Sequence, residues 1–523
     1  MQTPSKTRSA LTRSALTKRE KVMVFFYHMR VYAPLRVISR QFKIHRRTAG
    51  RYIERVRDAI CRDFVPLHYG FGKKHFVLCD DGVVRQFTQE LVFGELSSWM
   101  SSKISEKFWN DVKIIAVGDG TYIYCQNFGG FEGNKELFSG HKLRTLQKVM
   151  CFVTTRGYWV KAYGAHGGSG RYSDKKLLDK IVTDLEIELN DNPDAENFLS
   201  FFDLKPETAA NNVLVVDRGF EGATEEYMTL LAPKGKKKSK QDGKTKIAKQ
   251  HTQEQAGTNR TVTRVRNIVE RMFSTTIKIW SILGGKPVHF AYFEHIPQYM
   301  DIACAVSNAF RVCLDSKKGE NDDQDFETMK NRMGHKNEIP PMLKKSPTNK
   351  LLLKNGKFTR FDPEEEIEVV PVMSMEEIRN YACGPYALKL ATPYVTFWAD
   401  IDTNIKFSFH KTARRLLIKV AGLKSRFSPR ISREVYLLFK NAKLSDTMCT
   451  CHGGLRAIGG CAHAIAVLRL LGQLTDRIEP GKPTRSQTML KRALWYFKEN
   501  DYESDSESNE DVSSDDSFCS DDD

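Results

Sequence analysis

Long apolar runs are missing from this chain. Nowhere do the roughly 18 consecutive apolar residues needed to cross a bilayer occur. The basic, Ser/Thr-rich first twenty residues lack the apolar stretch of a secretory signal, since the only early run is Val22 to Tyr27. A soluble, intracellular protein with no membrane partner is expected. Cysteine is sparse, 11 in 523 residues, and most stand singly inside apolar stretches. That usage suits buried small side chains in a reducing compartment rather than a disulfide framework. There is no internal repeat. Acids are scarce at one end and bases absent at the other: residues 1–64 hold 4 acids against 16 Lys or Arg, and residues 501–523 hold 11 acids and no base.

The uneven charge matters more than its total of +17. Clustered Lys and Arg release counterions from a phosphate backbone, so a polyanion is the expected partner, with plain solubility the bland alternative. The acidic tail has almost nothing to bury and is expected to be disordered. At about 100–200 residues per domain, the length suggests roughly three domains.

In LRVISRQFKIHRRTAGRYIERVRDAI, a helix ending near Phe42, a turn at Lys43 and Ile44, and a second helix from about Arg46 give helix-turn-helix spacing. Ala49, Ile53, Val56 and Ile60 would face inward. Arg47, Arg51 and Arg55 recur every four residues on another face, and with Arg46 and Thr48 they are the candidate DNA contacts. An ordinary helix with a solvated basic side is the alternative.

Further on, VKIIAVGDGTYIY sets Asp119 amid two apolar runs, and NNVLVVDRGF sets Asp217 directly after a run typical of a buried strand. Ligands collect beyond the carboxyl ends of such strands. Glu270 lies in TVTRVRNIVERMFSTTIKIW, beside the helical stripe Val265, Ile268, Val269, Met272, Thr276 and Ile279. Three carboxylates from two strands and a helix could hold two Mg²⁺ ions ~3.5–4 Å apart for in-line phosphodiester displacement. Other readings stay open: Asp119-Gly120 as a hairpin turn, Asp217 as a turn residue, Glu270 as the ion-pair partner of Arg266. Glu254 is a competing acid, ahead of the periodic helix.

GDGTYIY, VVDRGF and RNIVERMF, with VTTRGYWVKAYGAHGGSGRYSDKKLL between the first two, resemble DDE-superfamily transposases and endonucleases related to the Harbinger and IS5 groups, and more closely the eukaryotic ISL2EU-type elements. The resemblance spans about residues 20–310. It implies an RNase H-like core, a mixed sheet with flanking helices, in which Asp119, Asp217 and Glu270 are catalytic and bind Mg²⁺ or Mn²⁺. The Lys-rich insert APKGKKKSKQDGKTK departs from the usual pattern; a DNA contact, a nuclear localisation signal and a solvated loop are the readings for it.

Near the end, MCTCHGGLRAIGGCAHAIAVLRLLG presents Cys449-x-Cys451 and Cys461-x-His463, four donors suited to one tetrahedral, structural Zn²⁺. Four nearby glycines let the chain turn back, and His452 is left out of the ligand set. The pattern resembles a SWIM-type zinc finger, which the ISL2EU-like elements carry after the nuclease.

The expected organisation is multidomain α/β. It runs from a basic disordered N-terminus (1–17) and a helix-turn-helix (18–66) through a connecting segment (67–110) to the nuclease domain (111–312, basic insert 233–260). A mobile linker (313–362) leads to a small α+β zinc-finger module (363–475), a connecting helix (476–500) and the acidic tail (501–523). The expected function is a nuclear transposase that cleaves and rejoins double-stranded DNA at element ends and target. A homo-oligomer and an accessory DNA-binding protein are the further partners. The alternatives are a domesticated, catalytically silent DNA-binding regulator or chromatin factor, and a nuclease acting on structured RNA.

Overall fold

The computed structural model describes residues 16–476 apart from 128–129, 141, 170–171, 224–225, 235–237, 242–243, 248–249, 312, 344–357, 362–369, 372, 401–404, 413 and 425–430. Most of the N-terminal segment, the connecting helix expected over 476–500 except its first residue, and the acidic tail lie outside these residues. The chain divides into two compact units, one of residues 1–232 with 264–318, the other of 233–263 with 319–523.

The first unit opens on α1 (Lys18–Val31), whose start is closed by a capping box between Thr17 and Glu20. It ends where Tyr32 turns left-handed, and Pro34 leads into α2 (Leu35–Gln41). The turn at Lys43, with φ +51°, then feeds α3 (Arg46–Asp63), capped by the His45 ring accepting from Arg47 N–H. Val24, Phe25, Met29, Ile38, Ala49 and Ile53 form the shared core of the three helices. The expected inward stripe holds for its first two members only. Val56 and Ile60 are half-buried, and Arg57, one helical turn beyond Ile53, is buried with its charge paired to Asp58.

The segment expected to be a mere connection is part of this unit. It holds a two-stranded ribbon, β1 (Phe76–Leu78) and β2 (Val84–Gln86), and Val77, Phe87, Leu91 and Leu96 enter the main core. A mixed sheet follows. β3 (Lys113–Tyr124), β5 (Arg144–Val153) and β6 (Trp159–Gly167) are successive antiparallel strands, with the two-residue β4 (Phe138–Ser139) beside β5. After α4 (Asp174–Asp191), β7 (Asn212–Val215) pairs parallel to β3, and β8 (Thr229–Leu231) pairs parallel to β7. Spatially the main strands run β6-β5-β3-β7-β8.

α4 forms because Ser173 caps it and no Gly or Pro interrupts it, while Leu177, Leu178, Ile181, Val182 and Leu185 make one apolar stripe. That stripe buries against Ala116, Met150, Phe152 and Leu214 of the sheet. Truncating such a buried leucine to alanine costs about 2–5 kcal/mol.

The second unit contains a short antiparallel hairpin in the Lys-rich insert, β9 (Lys238–Gln241) and β10 (Lys244–Ile247). It contains also a five-stranded antiparallel meander: β11 (Thr359–Arg360), β12 (Lys406–Thr412), β13 (Arg415–Lys424), β14 (Ser432–Lys440) and β15 (Lys443–Cys449). ARRLLIKVAGL and REVYLLF thus supply strands, as their β-branched content indicated. TPYVTFWADI does not: its residues through Asp400 finish the helix Pro385–Asp400. Ala387, Ala391, Tyr394, Val395 and Trp398 are all buried in the module's core, and that 3–4 spacing outweighs strand propensity. The stretch expected to be a mobile linker is partly structured. Leu314 N–H donates to Arg156 in the first unit, and the helix Asp322–Met333 buries Phe326 and Met329 in the second.

Candidate active site and metal centre

β3 runs unbroken through Asp119 and Gly120, so the hairpin-turn reading of that pair does not hold. Val117 is level with Val215 in the parallel β3–β7 pair. Asp119 and Asp217 each lie two residues beyond it, at the same end and, by alternation, on the same face. Asp217 starts the 3-10 turn Arg218–Phe220, and its Oδ1 is buried with no hydrogen-bond partner. Glu270 comes from the helix Gln253–Met272, whose Val265, Ile268, Val269 and Met272 are buried as the periodicity indicated. The α-helix then gives way to a π turn over Phe273–Ile277, which shifts the phase: Thr276 is buried as expected and Ile277 with it, whereas Ile279, expected in the stripe, is exposed.

Arg266 ties two of the acids together. Its Nη1 lies 2.8 Å from Asp119 Oδ2 and its Nη2 2.6 Å from Glu270 Oε1. The ion pair with Glu270 was legible one turn back along the helix; the bridge to Asp119 was not, because nothing local marks a partner 147 residues away. The Gly120 N–H donates to Asp119 Oδ1 at 2.8 Å. Burial pushes the Asp119 carboxyl up to about 7, Arg266 opposing and the charges of Asp217 and Glu270 adding to the rise. Three carboxylates against one guanidinium leave an excess of negative charge, and Asp217 Oδ1 meets no donor among the described residues. Oxygen donors with surplus negative charge suit a hard divalent cation. Glu254 begins the same helix, in the second unit.

A fourth acid escaped the sequence reading. Asp174, the first residue of α4, is paired at 3.0 Å with Lys148 of β5. A Cβ on Gly219, two residues past Asp217, would stand 3.0 Å from its Oδ2. Glycine at 219 is what lets Asp174 approach this strand end. Its only signal in the sequence was an acid in a helix's first turn, which reads as a dipole partner.

Among the described residues, the group that closes to metal-ligand spacing lies in the second unit. One donor atom from each of Cys449, Cys451, Cys461 and His463 lies within 4.8 Å of the others, and all four residues are buried. Cys449 ends β15; Cys461 precedes and His463 sits on the helix Ala462–Asp476. Between them the chain doubles back, Cys449 N–H donating to Gly454 O at 2.9 Å. A Cβ at Gly454 would meet Cys449 O at 1.9 Å, so only glycine fits there. Cys461 Sγ accepts from Ala464 N–H and Cys449 Sγ from Cys451 N–H, each at 3.4 Å. Hydrogen bonds from the Cys449 and Cys451 side chains hold the Cys461 thiol well below its usual range, while burial pushes Cys449 up. His463 Nε2 is buried with no hydrogen-bond partner. Soft sulfur donors and one imidazole fit a borderline ion such as Zn²⁺. His452 packs against the His251 ring, tilted by 42° with centroids 3.9 Å apart, and is not one of the four.

Comparison with known families points to one class. Residues 118–308 match the model of the DDE superfamily endonuclease, a span that includes Asp119, Asp217 and Glu270. Residues 14–66 match the helix-turn-helix of DDE superfamily endonuclease. The two matches support a transposase-type, DNA-binding nuclease. No curated protein and no solved structure matches the chain.

Proposed function

We propose that this protein cuts and rejoins DNA phosphodiesters, with Asp119, Asp217 and Glu270 holding two Mg²⁺ or Mn²⁺ ions. The observation that carries the reading is the bridging of Asp119 and Glu270 by the Arg266 guanidinium, with Asp217 at the matching end of the neighbouring strand and its charge acting on Asp119. The strand order β6-β5-β3-β7-β8, three antiparallel strands followed by two parallel ones, supports an RNase H-like core. When bound, the ions supply activation of the attacking oxygen and stabilisation of the leaving one. Arg266 keeps the Asp119 and Glu270 carboxylates on the same side of the sheet and limits their repulsion. On α3, Arg46, Arg47, Arg51 and Arg55 are exposed and Thr48 half-buried, which suits base-edge and phosphate contacts from one helix. The Cys₃His cluster is read as a SWIM-type finger holding one structural Zn²⁺, without an open position for catalysis.

A second reading, a silent DNA-binding regulator, draws on Arg266 as well, because its guanidinium already neutralises part of the acid cluster. One assay separates the two. Purified protein with DNA carrying the element ends is expected to nick or cut only with Mg²⁺ or Mn²⁺, and Asp217→Ala to abolish cutting while DNA binding persists. Equal cutting by that variant rejects the site; binding without cutting under any divalent ion favours the regulator.

A further inference from the structure

The backbone of the sulfur loop is gripped by residues from outside it. Cys449 N–H donates to Gly454 O and Cys451 N–H to Cys449 Sγ, so the donors of the Cys449-x-Cys451 stretch are met within the loop. Its carbonyl oxygens are reached from elsewhere in the second unit. The Gln250 side-chain amide donates to Cys449 O at 2.6 Å and to Cys451 O at 3.0 Å, and His251 N–H donates to His452 O at 3.1 Å. An amide nitrogen carries two hydrogens, which is what two facing acceptors require. Gly454 makes room for the contact: a Cβ there would stand 1.9 Å from Cys449 O, the atom that Gln250 bonds.

A second link runs through Asn337, which is buried. Its N–H donates to Gln253 Oε1 at 2.9 Å, and its side-chain Nδ2 donates at 2.8 Å to Thr447 O, two residues before the first cysteine. Asn259 grips both backbone groups of Lys234 and lies 3.3 Å from His251 Nε2. All of these residues belong to the second unit. They converge on the start of the helix Gln253–Met272, which carries Glu270 seventeen residues after its first. No proline interrupts that helix. A continuous helix passes a constraint on its first turn along its length. The carbonyls of a ligand loop hold such an anchor in place only while the ligands themselves are held together.

We infer that Gln250 is a positioning residue: with His251 it fastens the start of the Glu270 helix to the Cys₃His loop, so that a loaded Cys₃His cluster fixes how Glu270 is presented to Asp119 and Asp217. This role rests on the zinc and divalent-ion readings above. It gives the zinc loop a task in the nuclease beyond holding its own module together.

Hydrogen exchange and Mn²⁺ uptake, read by water-proton relaxation on the full zinc-loaded chain, test it together. Gln250→Met keeps the length of the side chain and removes both donors. It should retain zinc, speed amide exchange over 251–260 roughly tenfold and weaken Mn²⁺ affinity roughly fivefold, with exchange in α4 unchanged. Gln250→Lys, whose ammonium can donate to both carbonyls, should return both readouts toward wild type. Cys461→Ser, which removes a ligand, should reproduce both losses. A Gln250→Met chain with wild-type exchange, or with faster exchange and wild-type Mn²⁺ affinity, would overturn the inference, as would a zinc-free Cys461→Ser chain whose helix start stays protected. The two kinds of failure are distinct. A wild-type chain that binds no zinc or no Mn²⁺ contradicts the reading of that site and takes the inference with it, whereas variants that match a loaded wild type contradict the inference alone.

Discussion

Arg266 does for Glu270 what helix spacing allows and for Asp119 what only the fold allows. Its side chain is nearly buried between a carboxylate that is 18% exposed and one that is 44% exposed. Removing one partner from such an arrangement leaves the others uncompensated, which is costlier than the pair is stabilising. The same asymmetry governs the cysteines. Three sulfur donors and an imidazole inside one another's reach repel once deprotonated, and a cation relieves them. Metal analysis of purified protein is therefore expected to find about one zinc per chain, lost in Cys449→Ser. Zinc content that survives this substitution refutes the ligand set. Around the cluster, Trp398, Ile418, Leu437, Ile465 and Leu468 are buried in a large apolar core. Metal loss should accordingly raise amide exchange over 449–463 and leave the meander β11–β15 protected.

At the scale of elements, α3 lines Arg47, Arg51 and Arg55 along an exposed edge while Ala49 and Ile53 anchor it. α1 fixes this assembly to the rest of its unit: Phe25 stacks on Tyr299 at 6.1 Å, and the Tyr32 hydroxyl accepts from His289 N–H at 2.7 Å. A helix held in this way presents its arginines as a rigid row. Replacing Arg47 and Arg51 together by alanine should weaken DNA binding and reduce the slope of log affinity against log salt by about two. An unchanged slope would put the contact surface elsewhere. Periodicity made α3 and the Glu270 helix legible in advance, because each repeats apolar residues at three- and four-residue steps. It failed where the signal is short or ambiguous. The ribbon at Phe76 spans three residues per strand, the π turn after Met272 breaks a regular phase, and the aromatic run at 392–401 carries both strand propensity and helical spacing. Asp217 was readable as a strand-end acid and Asp119 as an acid between two apolar runs, but not the register that levels them, which is set by pairing between segments about a hundred residues apart.

Across the whole molecule, the candidate sites are shared between two units of different character. The acids and the basic helix belong to the first unit; the sulfur cluster and the antiparallel meander belong to the second. The helix Gln253–Met272 starts in the second unit and ends in the first, so the residue carrying the third acid lies on an element common to both. Everything functional in this reading depends on the three carboxylates acting as one site for divalent ions. Manganese is the direct probe, since its paramagnetism reports binding through water-proton relaxation whether or not DNA is cut. Wild-type protein is expected to take up Mn²⁺ at a site competed by Mg²⁺ and lost in Asp217→Asn, with DNA binding by α3 intact. Equal Mn²⁺ uptake by wild type and Asp217→Asn would contradict the account.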